Sequence, residues 1–283
     1  MPELGDFWMF LFVGFFAQLI DGALGMGYGV ISSVVLLASG APPAHASASV
    51  HSAKLFTTAA SGTSHLLHGN IDRRLFRILS LLGGIGGIAG VLCLTQVPGG
   101  LIRPYVFGYL LLMGLLILWR SVREGRERHV LPGSFVGPLG GLGGFLDAVG
   151  GGGWGPVVTS SLIGAGARPR LVVGTVNAAE FVVTCAVVAA FATTLLSGLW
   201  SEGKGVLNHL VPIAGLVLGG LPAAALAGVL VKRAPRRTMT FAVALLVIAL
   251  SSYELLRMNE VFAAGNSARQ KAVSTPALAG VVE

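Results

Sequence analysis

Two charges stand alone in apolar surroundings. Lys54 lies in ASVHSAKLF and Glu180 in GTVNAAEFV, 126 residues further on. On insertion scales a charge at the centre of a bilayer costs about 2.5–3.5 kcal/mol, so each of these calls for a partner. The same 126-residue shift lays His51 on Asn177. The spacing therefore leads us to expect that Lys54 and Glu180 approach each other or share a site. In one reading they form a structural ion pair. In the other, one binds a substrate charge while its partner, with His51, handles a proton.

The stretch around Lys54 has a helical period. Steps of four and three pick out Ser47, His51, Lys54, Thr58, Ser61, His65 and His68. On a helix these residues form one stripe roughly 30 Å long, the thickness of a hydrocarbon core. The other faces are mostly Ala, Val, Leu and Phe. Such a stripe is costly against lipid, so it is expected to line a polar path or to lie inside a bundle. Back-bonding to the preceding turn explains a lone Ser or Thr, but not His51 and Lys54 together. In the second copy Asn177, Glu180 and Thr184 continue the pattern, which then becomes apolar at Val187 and Phe191.

Both charged stretches follow a glycine motif. DGALGMGYG at 21–29 aligns without a gap on DAVGGGGWG at 147–155. Gly25 falls on Gly151, Gly27 on Gly153, Tyr28 on Trp154 and Gly29 on Gly155. Ten of the 34 pairs from 21/147 to 54/180 are identical, which marks an internal repeat. Glycine runs permit positive φ and interrupt helices. Inside a membrane an interruption is tolerated only against protein or a water-filled cavity. Half-helix N-termini at Gly25, Gly27, Gly29, Gly151 and Gly153 would offer N–H donors to an anion; close helix packing is the competing explanation. Tyr28 and Trp154 wall a pocket or anchor packing. Asp21 and Asp147 are expected to cap the half-helices that follow them.

Composition sets the frame for these residues. Of 283 residues, 54% are hydrophobic and only 11% charged, where a soluble domain has about 25% charged residues. Apolar runs near the ~20 residues of a spanning helix recur at 78–97, 105–118, 210–231 and 239–250 with its flanks. They lack the alternation of barrel strands. The expected fold is an all-α polytopic membrane bundle of two inverted repeats with broken or re-entrant helices at the glycine motifs. The first repeat spans 1–125 and the second 126–258, and a polar tail over 259–283 is expected to be disordered.

The net charge of +7 does not point to nucleic acid. The basic residues collect in short loops at 68–77, 120–130 and 232–237, where topology signals sit. Placing all three loops in the cytoplasm requires each glycine-motif unit to cross a net odd number of times. The two halves are then oppositely oriented, an architecture used by secondary transporters. No Walker motif is present, so direct use of ATP is not expected. No cofactor or metal site is expected from the Cys and His spacings.

The doubled Asp-(Gly/Ala)-x-x-Gly-x-Gly-aromatic-Gly motif, each copy followed by a Gly-Ala-x-Pro turn and then ASVHSAKL or GTVNAAEF, resembles the TauE/SafE sulfite exporter family. The resemblance implies a carrier of sulfite or small organosulfonate anions in a bacterial inner membrane, with lipid as its surroundings. From the residues themselves, proton coupling through Glu180 or His51 is the natural expectation, with export as the favoured direction and substrate near the midplane at the repeat interface. Substrate contacts would come from the five glycines, Tyr28, Trp154, His51, Lys54 and Asn177. Glu180, His51 and Lys54 would serve coupling or ion pairing, and Ser47, Thr58, Ser61 and His65 the polar path. An uncoupled anion channel, an importer and, more remotely, an intramembrane enzyme are the alternatives. Oligomeric state is left open.

Overall fold

A computed structural model describes residues 4–121, 132–200, 203–227, 229 and 236–274, and among these every regular element is helical. Helix α1 (Leu4–Leu24) breaks at Gly25–Gly27 and resumes as α2 (Tyr28–Ala38). Helices α3 (Pro43–Leu67), α4 (Arg73–Gln96) and α5 (Gly99–Ser121) follow. The series then repeats. Helix α6 (Gly133–Gly150) breaks at Gly151–Gly153 and resumes as a π-helical turn (Gly155–Thr159) that runs into α7 (Ser160–Gly164). Helix α8 (Pro169–Leu196), a 3₁₀ turn (Gly203–His209), α9 (Leu210–Ala225) and α10 (Arg236–Ser274) complete the chain.

Local sequence explains these boundaries. Gly25 and Gly151 take φ of 68° and 71°, and Gly40 and Gly166 take 97° and 95°, so both copies turn at the same places. These backbone angles lie where an L side chain is strained. Pro43 and Pro169 then open α3 and α8 at the first turn, where the missing N–H has no helical partner to lose. Asp72 caps α4 by accepting from the N–H groups of Arg74 and Leu75.

Sequence expectation and structure part at three places. Helix α1 runs to Leu24, so Asp21, expected as the cap of the next half-helix, sits in the last turn before the break. Helix α5 begins at Gly99 and carries Pro104 inside it, rather than starting at Tyr105. Helix α10 runs on to Ser274, so residues 259–274 continue a helix where disorder was expected. The helix is already nucleated, and Ala, Arg, Gln and Lys in that stretch extend it readily. Most of the 120–130 cluster and residues 275–283 lie outside the described residues.

Among the described residues five helices are long and apolar enough to cross a membrane: Asp6–Leu24, Arg73–Gln96, Gly99–Trp119, Pro169–Leu196 and Arg237–Glu260. The bundle is polar inside and apolar outside. His51, Lys54, Asp147, Asn177 and Glu180 are buried, while Phe12, Phe16, Leu81, Ile85, Leu112 and Leu256 are exposed. That distribution suits lipid and would be costly in water. Two apolar clusters flank the polar interior. Phe10, Leu36, Phe107, Leu216 and Val247 anchor one, and Leu79, Leu94, Trp154, Leu162 and Phe191 the other.

The helix contacts come in exchanged pairs. Helix α1 lies along α9, and α6 along α4; α3 meets α9, and α8 meets α4. Helix α3 also lies on α8, and α5 on α10. Exchanging α1–α5 for α6–α10 therefore returns the same set. At the centre the breaks touch backbone to backbone. A Cβ on Gly29 would lie 2.5 Å from the Gly151 oxygen, and one on Gly155 would lie 2.5 Å from the Met26 Cα. Such crowding forces backbone shifts that typically cost about 1–3 kcal/mol. Gly29→Ala and Gly155→Ala are each expected to lower the melting temperature of the purified protein by several degrees. Gly108→Ala, within α5 and with open space where a Cβ would go, is expected to leave it unchanged or raise it, because Ala is the better helix former.

Candidate functional site

Helix α3 presents its polar stripe to α6 and α8. Lys54 Nζ donates to both carboxylate oxygens of Asp147, at 3.1 and 2.8 Å. Its distance to Glu180 Oε1 is 2.6 Å. One ammonium thus joins carboxylates from the last turn of α6 and the middle of α8. Lys54 is 1% exposed and Asp147 0%, so these charges interact in a medium far less polarisable than water.

Asp147 has more partners than Lys54 alone. Its Oδ1 accepts from the backbone N–H of Trp154 at 3.2 Å, across the glycine break. Its Oδ2 lies 3.1 Å from His51 Nε2. The other ring nitrogen, His51 Nδ1, is 2.8 Å from the Ser47 carbonyl oxygen. Ser47 Oγ donates its hydrogen bond to the Ala148 carbonyl at 2.5 Å. Both nitrogens of His51 therefore face acceptors, a pairing that a neutral imidazole cannot complete because it carries one N–H. The geometry seats an imidazolium, or a neutral ring facing a protonated Asp147.

The first copy shows the same device with fewer partners. Asp21 Oδ1 accepts from the Tyr28 N–H at 3.3 Å, again across the break. Both aspartates thus satisfy the first turn of the following half-helix. They do so from the preceding helix, seven residues back, rather than as its N-cap residue. The Asp21 carboxylate also lies within Coulombic reach of Lys54 and Glu180.

Ser61 Oγ donates to Asn177 Oδ1 at 2.9 Å, so α3 and α8 are bonded again about two turns of α3 beyond Lys54. The repeat equates His51 with Asn177, yet the two do not share a partner. Thr58 Oγ1 back-bonds to the Lys54 carbonyl. His65 meets Asn70 rather than α8. Tyr28 and Trp154 are committed to packing. Tyr28 donates to the Leu216 carbonyl at 3.1 Å, and Trp154 Nε1 to the Val176 carbonyl at the same distance. Gly25, Gly29 and Gly151 form the backbone crossing between the breaks. Gly153 lies against Asp147 and the Tyr109 hydroxyl, and Gly27 against Ile20 and Ile31.

Asp147 is the residue that sequence reasoning placed only as a cap. The available signal was its identity with Asp21 across the repeat. The sequence could not say that α6 brings it under α3, 93 residues from Lys54. Removing one partner from a buried ionic cluster leaves an uncompensated charge, typically at about 3–5 kcal/mol. Lys54→Met is therefore expected to lower thermal stability in detergent sharply. Lys54→Met combined with Asp147→Leu is expected to cost less than the sum of the two single changes. Additive losses would show that the cluster does not act as a unit.

Comparison with known proteins agrees with this architecture. The family described as Sulfite exporter TauE/SafE matches residues 10–280. A probable membrane transporter protein, YtnM of Bacillus subtilis (strain 168), is 41% identical over 254 residues, covering 88% of this chain and 82% of its own length. No solved structure matches. With nearly its whole length matched, the chain belongs to the TauE/SafE family of membrane transporters.

Proposed function

We propose that the protein carries sulfite or a small organosulfonate anion outward across the bacterial inner membrane, coupled to protons. The observation that carries this reading is the shared ammonium of Lys54. Its charge is held by Asp147 and Glu180, with His51 as a second donor to Asp147. A sulfonate or sulfite offers the same kind of acceptor oxygens as a carboxylate. It can therefore replace one carboxylate on Lys54, provided that the displaced carboxylate takes a proton. Binding of the anion and uptake of the proton then become one event. Glu180 is the group displaced, because it belongs to α8 and holds Lys54 through one oxygen. Asp147 stays, because it is also tied to Trp154 N–H and His51.

The topology follows from the same reading. Helices α1–α5 and α6–α10 are two oppositely oriented copies, with loops 68–77, 120–130 and 232–237 in the cytoplasm. The exchanged contacts of the fold and the basic loops support this arrangement. The two glycine breaks meet near the midplane, and α3 and α8 cross the membrane beside them. A thiol introduced at His68 should then label from the cytoplasm, and one at Ser197 from the opposite side. Labelling of both from one side would overturn the inversion.

Transport itself is tested in proteoliposomes at clamped voltage. Sulfite and isethionate flux by the wild type is expected to rise several-fold with an imposed pH gradient. Glu180→Gln is expected to keep flux and lose the pH response, since a glutamine cannot take the proton. Lys54→Gln is expected to lose flux at least tenfold. Wild-type flux that ignores the gradient would mark an uncoupled channel instead.

A further inference from the structure

Helix α3 ends in a Schellman turn. Gly69 takes φ of 64°, its N–H donates to the Leu66 carbonyl at 3.1 Å, and the Asn70 N–H donates to the His65 carbonyl at 2.9 Å. Asn70 is thereby folded back under His65. From the other side Arg170, in the first turn of α8, donates from Nε to Asn70 Oδ1 at 2.5 Å and from Nη2 to the His68 carbonyl at 2.9 Å. Gly174 leaves room for this approach, because a Cβ there would collide with the Asn70 carbonyl oxygen.

These bonds fix a tautomer. A guanidinium only donates, so the Asn70 atom facing Arg170 is its carbonyl oxygen. The amide nitrogen Nδ2 is then the atom 3.2 Å from His65 Nδ1. An amide nitrogen also only donates, so His65 Nδ1 accepts, and a neutral His65 carries its proton on Nε2. His65 is 0% exposed, and among the described residues no group accepts from Nε2. A buried donor without an acceptor is costly to maintain. Here Asn70 and Arg170 hold it in that state.

His65 lies 4 and 11 residues beyond Ser61 and Lys54 on the polar stripe of α3, roughly 16 Å along the helix from Lys54. Arg73, Arg74 and Arg77 follow in the first two turns of α4. We infer that His65 Nε2–H is a second binding station for a small oxyanion, set as a donor by the Arg170–Asn70 relay, at the end of α3 near the basic start of α4. The inference rests on the reading of α3 as an anion path. Asn70 and Arg170 act as positioning residues; His65 makes the contact.

Nitrogen-15 NMR of histidine-labelled protein in detergent tests it, with His65 assigned from the spectrum of His65→Gln. The free wild type is expected to show the Nε2–H tautomer, and isethionate is expected to shift the Nε2 resonance. Asn70→Asp replaces the amide donor with a carboxylate that accepts from Arg170 and from His65 Nδ1–H. This variant is expected to move the proton to Nδ1, abolish the isethionate shift and raise the transport KM several-fold with little change in maximal rate. Arg170→Gln, which frees the Asn70 amide to turn, is the second variant, and is expected to show mixed tautomers. An Nδ1–H tautomer in the wild type would overturn the inference. So would an unmoved His65 resonance under isethionate that calorimetry shows to bind in a Lys54-dependent way, and that result leaves the proposed carrier standing. Isethionate and sulfite that bind nowhere overturn both.

Discussion

One ammonium between two carboxylates governs this molecule. Lys54 on α3 is buried, and its two partners arrive on α6 and α8. None of the three charges is tolerable alone at that depth. The cluster therefore demands that α3, α6 and α8 converge at one level, and the glycines let them do so. Gly29 and Gly155 bring the two breaks into backbone contact, which places Asp147 beside the stripe. The polar interior goes with an apolar exterior, where Phe12, Phe16, Leu81 and Leu112 are exposed.

The repeat is closest where backbone geometry is at stake and weakest where charge is. The left-handed glycines at 25 and 151, and at 40 and 166, take almost the same angles in the two copies. Asp21 and Asp147 both reach across their break to the next helix. Yet Lys54 is matched by Glu180, and His51 by Asn177. Two identical halves would set like charges against each other at the centre. Divergence at these positions turns the repulsion into an ion pair, and leaves one side with donors and the other with acceptors. A site of that kind can exchange one acceptor for a substrate oxygen without dismantling the scaffold.

Much of the fold was legible in the sequence. The 126-residue shift, the glycine breaks and the polar stripe of α3 all survive in three dimensions. Pattern alone works here because lipid punishes polar backbone and polar side chains alike, which narrows the choices to packed helices. Other features were not legible. Helix α3 does not read as a spanning segment by composition, since its polar face dilutes its apolar ones. Asp147 was read as a cap, because local rules score a carboxylate by its neighbours in sequence. The relay from Arg170 through Asn70 to His65 joins residues about 100 positions apart, and nothing local announces it. The end of α10 was missed for the opposite reason: a polar stretch with good helix formers continues a helix that is already under way.

The central claim is that an anion displaces Glu180 from Lys54, and that a proton takes the vacated negative charge. Isothermal titration of isethionate into purified protein, repeated in buffers of different ionisation enthalpy at one pH, counts that proton directly. Isethionate has no titratable group near neutrality, so any proton exchanged belongs to the protein. Net uptake approaching one proton per anion bound, lost in Glu180→Gln with binding retained, is the result this account requires. Binding whose heat is the same in every buffer would contradict it, and would leave the ion cluster as scaffold alone.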